Sequence, residues 1–196
     1  MSVLRDGGRP FAGVLLTGGA SRRFGRAKAT LAWRGTTLAQ FSADELTAVC
    51  SVVIEVGDGL TTLRSVREDP PMSGPLAALV AGVDALGAEL QFSGVLLLAC
   101  DYPMIDRQLL SLVRDAEGDS AIPVDADRPQ YGCAKYSTAV IAQARQQVAQ
   151  GERSFRWIRD YSPIPSTVWT QVAPSNAFHD IDTPDDAVAL GIDPAS

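Results

Sequence analysis

Residues 16–28 read Leu16-Thr17-Gly18-Gly19-Ala20-Ser21-Arg22-Arg23-Phe24-Gly25-Arg26-Ala27-Lys28 and join a pair of glycines to a cluster of cations. Glycine has no Cβ, so at Gly18 and Gly19 backbone N–H groups can approach an anion closely. Arg22, Arg23, Arg26 and Lys28 add fixed positive charge. A triphosphate needs both: amide donors for its oxygens, and cations against the charge that develops when a phosphate is transferred. A solvated basic turn would account for either feature alone. Together, directly after an apolar run, they point to phosphate binding. Two better-known loops are excluded. Gly25 is followed by Arg26-Ala27-Lys28 rather than the Gly-Lys-Ser/Thr of a Walker A loop, and the G-x-G-x-x-G dinucleotide fingerprint is missing.

The carboxylates supply a second kind of chemistry. Asp101 lies in Cys100-Asp101-Tyr102-Pro103, directly after the most hydrophobic run of the chain. At a strand end it would face a ligand crevice, where it could bind a hard divalent cation bridging phosphate oxygens. Capping the next helix is its other possible use, but Asp106 is better placed for that task. Asp180 and Asp182 flank Ile181 and share one face if the segment is extended. Asp182 could contact the metal or simply help to start the helix at Thr183-Pro184. His179 is the only histidine, and Cys50, Cys100 and Cys133 are widely separated. The cysteines read as buried reduced thiols, and the donor set suits magnesium better than a transition metal.

These groups need elements to hold them. Residues 11–17 form an apolar run that stops at Gly18-Gly19, as a buried strand does. A helical stripe over 37–49 carries Leu38, Phe41, Leu46 and Val49, and a strand is expected over 51–56. Gly74-Pro75 opens a helix with Leu76, Leu79, Val80, Val83 and Leu86 on its core face and Gly87 as its stop. Residues 94–99 predict a central strand. A helix over 106–114, strands over 121–124 and 131–136, a helix over 138–150 and an alternating strand over 166–172 follow. The last helix starts at Thr183, with Asp186 able to close a capping box. Strands alternating with helices imply an α/β fold with a mostly parallel sheet covered on both faces. Ligands of such sheets sit beyond the carboxyl ends of the strands, where the loops after Thr17 and Cys100 both fall.

Of the 196 residues, 46% are hydrophobic and 20% charged, which fits one folded domain over 11–196 behind a flexible tail at 1–10. The net charge of −6 argues against a protein built to coat nucleic acid or an anionic membrane, so any phosphate affinity must be local. No apolar run is long enough to cross a bilayer, and the tail lacks the apolar middle of a signal peptide. A cytoplasmic protein is expected.

The spacing of residues 16–28 resembles the nucleotidyltransferase signature Leu-Ala-Gly-Gly-x-Ser-x-Arg-Met-Gly-x-Asp-Lys, and most closely the pattern of the molybdenum cofactor guanylyltransferases. Leu16, Gly18, Gly19, Ser21, Arg23, Gly25 and Lys28 match in register, while Ala27 stands where that family has an acidic residue. Cys100-Asp101-Tyr102-Pro103 resembles the family's Cys-Asp-x-Pro, whose aspartate holds magnesium. Asp180-Ile181-Asp182-Thr183-Pro184 resembles its late motif. Arg67-Glu68-Asp69 before Gly74-Pro75-Leu76 resembles a segment whose aspartate contacts the nucleotide. Glu55 stands where the family places an asparagine near the nucleotide. Arg128-Pro129-Gln130 and Gly151-Glu152-Arg153-Ser154 resemble the acceptor-side half.

This resemblance implies a three-layer, Rossmann-like nucleotidyltransferase fold. It implies nucleotide binding by Leu16, Thr17, Gly18, Gly19, Lys28, Glu55, Asp69 and Asp101, and catalysis by Lys28, Asp101 and Arg23. Mg²⁺ would sit on Asp101 with Asp182. The substrates would be GTP and molybdopterin, with transient contacts to molybdoenzyme maturation proteins. An acceptor phosphate would attack the α-phosphorus of the nucleotide and release pyrophosphate; because a phosphate monoester is already nucleophilic at neutral pH, no strong general base is required. Asp180-Ile181-Asp182 also suits cytidylyl or sugar-phosphate nucleotidyl transfer, and Ala27 with Glu55 suits a nucleotide-binding homologue without catalysis.

Overall fold

The computed structural model describes residues 10–18, 27–87 and 92–195. Strand β1 (Phe11–Leu16) leads, after the glycine-rich loop, to a 3-10 turn at Lys28–Thr30 and a small hairpin of β2 (Ala32–Trp33) and β3 (Thr36–Thr37). Helix α1 (Leu38–Thr47) begins where the Thr37 side chain accepts from Gln40 N. Strands β4 (Val52–Val56) and β5 (Ser65–Val66) follow, then α2 (Pro75–Leu86), β6 (Gly94–Ala99) and α3 (Arg107–Asp115). Asp106 caps α3, accepting from Gln108 N and Leu109 N, as its position predicts. The chain continues through β7 (Ser120–Asp125), β8 (Arg128–Pro129), β9 (Cys133–Ser137) and α4 (Thr138–Ala149). It ends with β10 (Ser162–Ile164), α5 (Ser166–Trp169) and α6 (Pro184–Ala189). The capping box of Thr183 and Asp186 is formed at α6.

The main sheet runs β10-β7-β9-β6-β1-β4-β5, with β8 paired to β7. β1 lies parallel to both β4 and β6, while β9 is antiparallel to β6 and β7. Period-two alternation sorts the side chains into two cores. Val14, Ile54, Val56, Val95 and Leu97 pack under α2 and α4. Leu15, Leu96 and Leu98 pack under α1 and α3. The result is a helix–sheet–helix sandwich, the expected α/β class. No helix among the described residues is long and apolar enough to cross a membrane.

The strand expected over 166–172 is not formed. Trp169 N and Ala173 N bond to the carbonyls of Pro165 and Trp169, the i to i+4 pattern of helix. Helical spacing puts Trp169, Val172 and Ala173 against the core together, and the Trp169 indole N–H donates to Val124 O at 3.0 Å. Burial of one large ring outweighs the alternation. The strand at this edge is β10, parallel to β7.

Candidate active site

Three segments converge beyond the carboxyl end of the sheet. Leu16 ends β1 in register with Ala99 of β6. Cys100 N then donates to Leu16 O at 3.0 Å, so Asp101 leaves the sheet beside the start of the glycine loop. The third segment is 179–183, tied down where Ile181 N donates to Asp101 O at 3.2 Å. Ile181 is fully buried with Leu31, Leu38, Ala187 and Ile192, so its neighbours Asp180 and Asp182 project outward. They share a face as expected, without forming a strand. Lys28, on the 3-10 turn that precedes Leu31, closes the circuit with an ion pair of 2.7 Å from Nζ to Asp182 Oδ1. Trp33 of the hairpin donates its indole N–H to Pro103 O at 3.0 Å and braces the Asp101 loop from the far side.

Asp101 carries the clearest chemical signal. Its Oδ1 is buried and has no hydrogen-bond partner among the described residues. Burial pushes its carboxyl up to about 6; Lys28 opposes the shift, while Asp180 and Asp182 reinforce it. An orphaned buried carboxylate oxygen with two further carboxylates nearby fits a hard divalent cation. No group of three or more His, Cys, Asp or Glu side chains among the described residues is gathered closely enough to hold a metal by itself. Such a set suits a divalent cation that keeps waters and takes phosphate oxygens alongside one or two carboxylates.

Glu55, expected near the nucleotide, is enclosed by Thr17 and the loop that follows β4. It is fully buried. Its Oε1 accepts from Thr17 Oγ1 at 2.6 Å, Gly59 N at 2.9 Å and Leu60 N at 2.8 Å. Its Oε2 accepts from Thr61 N at 3.0 Å and Thr61 Oγ1 at 2.7 Å. Burial alone would raise its carboxyl, but these donors outweigh it and hold the group below the usual range. The carboxylate is occupied by the chain's own donors, from Thr17 and the 57–61 loop. Thr17 is likewise committed: its hydroxyl goes to Glu55 and its N–H to Val56 O. A Cβ on Gly57 would collide with Thr17 Oγ1, so the two strand ends meet only because that residue is glycine.

Leu16 and Gly18 line a cavity of about 240 Å³ with Val56, Glu68, Met72, Gly74, Pro75 and Ala78. Asp69 is exposed and is not part of that wall; Glu68, which sequence reasoning noticed only as the neighbour of Asp69, is. Gly19 and Arg23 lie outside the described residues, as do Ser21, Arg22, Gly25 and Arg26. The structure thus brings Leu16, Thr17, Gly18, Lys28, Asp101 and Asp182 together at one edge of the sheet, and does not bring Asp69 into the cavity wall.

The profile of the MobA-like NTP transferase domain matches residues 13–164. The chain belongs to this family. A probable molybdenum cofactor guanylyltransferase from Mycobacterium bovis is 35% identical over 164 residues, covering 78% of this chain and 81% of the relative. Among solved structures, the molybdopterin-guanine dinucleotide biosynthesis protein A of Archaeoglobus fulgidus superposes with a TM-score of 0.75 at 19% identity, covering 91% of this chain and 96% of the other. A Mycobacterium tuberculosis protein crystallised with manganese superposes with a TM-score of 0.63 at 17% identity, covering 92% and 97%. The MobA-like domain is a nucleotidyltransferase domain, and in this chain the loops after β1 and β6 meet at Asp101.

Proposed function

We propose that this MobA-like chain transfers GMP from GTP to the terminal phosphate of molybdopterin, with Mg²⁺ and with release of pyrophosphate. The observation that carries the reading is the buried, unpartnered Oδ1 of Asp101 beside Lys28 and Asp182. A bound Mg²⁺ would neutralise phosphate charge and orient the triphosphate. Asp101 would hold that ion, with Asp182 as the second carboxylate. Lys28 would leave part of its present pairing to meet phosphate oxygens. Gly19 would offer an amide donor, and Gly18, whose own N–H goes to Val56 O at 3.4 Å, would let the chain pass close to the nucleotide. An oxygen of the acceptor phosphate attacks the α-phosphorus, the bond to the β-phosphate oxygen breaks, and pyrophosphate departs. Catalysis is positioning and charge neutralisation, so no histidine-based nucleophile is needed. Among nucleotides and acceptors, the 35% identity to a probable guanylyltransferase favours GTP and molybdopterin. The test is pyrophosphate release by purified protein with molybdopterin and Mg²⁺. GTP should be used faster than CTP; equal or better use of CTP would transfer the assignment to cytidylyl transfer. A cytoplasmic location and brief contacts with molybdoenzyme maturation proteins belong to the same reading.

A further inference from the structure

The cavity beside Leu16 and Gly18 has one charged side chain among its described lining residues, Glu68, set in walls formed by Leu16, Val56, Met72, Pro75 and Ala78. This is the wrong lining for a phosphate. The carboxylate would repel it, and the start of α2 offers little in return: Pro75 has no N–H, and Leu76 N is already given to Arg153 O at 3.3 Å. The lining suits a flat, uncharged, mostly apolar group that presents hydrogen-bond donors to a carboxylate. Glu68 is held for that task. Its Oε1 accepts from Met72 N at 3.0 Å, which fixes the acid on the 68–72 turn that rims the cavity. Met72 itself sits at φ 63°, a left-handed conformation that a non-glycine residue seldom adopts.

We propose that Glu68 reads the base, its carboxylate accepting from the adjacent N1–H and N2–H donors of guanine, an inference that rests on the guanylyl-transfer reading above. Cytosine and adenine each present a donor beside a bare ring nitrogen, which would face the carboxylate lone pair to lone pair. Guanine alone among the four common bases presents two neighbouring donors. A pterin acceptor carries the same 2-amino-4-oxo edge. The position of the cavity against Leu16 and Gly18, where the phosphate loop begins, assigns it to the nucleotide rather than the acceptor. Asp69, one residue on, is exposed and outside the lining.

The test is calorimetric binding of GTP, ITP and CTP to the full chain with Mg²⁺ and without acceptor, for the wild type and Glu68→Gln. ITP lacks the N2 amine. The wild type should bind GTP more tightly than ITP and ITP more tightly than CTP. Glu68→Gln should weaken GTP by roughly ten- to a hundredfold, the loss typical of a hydrogen bond to a charged group, and erase the preference over CTP. The glutamine oxygen can still accept from Met72 N, so the turn should survive. Glu68→Asp provides a second comparison because it keeps the charge, and it should retain the order GTP over CTP. An equal loss of selectivity in both variants would mark Glu68 as a support for the turn and overturn the inference. Full GTP preference in Glu68→Gln, or a larger loss in Asp69→Asn, would overturn it too. Unchanged nucleotide selectivity with a raised acceptor KM would assign the cavity to the pterin. Wild-type protein that binds CTP as tightly as GTP would instead sink the guanylyl reading itself, before any variant is made.

Discussion

Glu55→Gln changes one oxygen to an amide nitrogen and almost no volume, yet it should be among the most damaging conservative substitutions in the chain. Five donors converge on the two oxygens of Glu55. A glutamine must point its NH₂ at one set. Toward the Oε1 set it would face the N–H groups of Gly59 and Leu60, neither of which can turn away. Toward the Oε2 set it faces the N–H of Thr61, while the Thr61 hydroxyl can rotate to accept. The second choice is cheaper and still leaves one part-buried backbone N–H without its acceptor and downgrades the remaining bonds from charged to neutral. A loss of about 2–3 kcal/mol follows from the usual cost of an orphaned donor beside a former carboxylate. For a chain of this size that is a fall in Tm of roughly 4–12 °C.

The pH dependence of the same site has a definite sign. Because the carboxyl of Glu55 is held below its ordinary value, its stabilisation is complete above the unfolded value of 4.5 and is lost as pH falls through the lower folded value. The gap in Tm between wild type and Glu55→Gln should therefore be constant near neutrality and shrink below about pH 4.5. Scanning calorimetry at several pH values measures both quantities. A variant that melts within about a degree of the wild type at pH 7 would refute the accounting of donors. Steady-state kinetics adds a functional readout: with Thr17 and the 57–61 loop loosened, KM for the nucleotide should rise more than kcat falls.

Lys28→Ala should lower kcat by about a hundredfold, the loss of one charge donor to the transferring phosphates. A larger loss from Arg26→Ala would show that the register of the glycine loop is wrong. Asp101→Asn removes a buried charge that has no described hydrogen-bond partner at Oδ1, so in a chelator the variant should melt no lower than the wild type. It should also lose the Mg²⁺-dependent rise in Tm and nearly all turnover, and near-normal turnover would move the metal site to Asp180 and Asp182.

How much could be read from the chain depended on whether a residue's meaning was local. β1, β4 and β6 lie within the sheet with both faces covered, and strands of that kind read as unbroken apolar runs. The caps at Asp106 and Thr183 follow from residue types next to a helix start. Residues 166–172 misled because alternation over so few residues also satisfies a helix that buries one tryptophan. β10 has three residues and a proline, too little pattern to notice. At the site, Lys28 and Asp101 stood out because each belongs to a short motif, the glycine loop and residues 100–103, that is legible without the fold. Glu55 was marked only by the family resemblance and Glu68 only as the neighbour of Asp69, since one is defined by a loop that folds back on it and the other by a turn that lifts it to the cavity wall.

The Lys28–Asp182 pair raises the question of what holds the C-terminal segment against the site. The pair is short, but Asp182 is half exposed, with 51% of its side chain accessible, and such pairs contribute about 0–1 kcal/mol. The segment has stronger anchors: the fully buried Ile181 and Ala187, Ile192 beside them, and the bond from Ile181 N to Asp101 O. Asp182 is thus positioned by the core beneath it, and under the proposed function the ion pair would be free to rearrange on binding of phosphate and metal. Asp182→Asn should accordingly melt within about 2 °C of the wild type, since a loss of under 1 kcal/mol moves Tm little in a chain of this length. The same variant should need more Mg²⁺ to reach half-maximal turnover, because one carboxylate oxygen near the ion has lost its charge. A Tm drop well beyond that range would mean that the ion pair, and not Ile181, fixes the segment. An unchanged Mg²⁺ requirement would mean that Asp182 serves Lys28 alone, leaving Asp180 as the partner of Asp101.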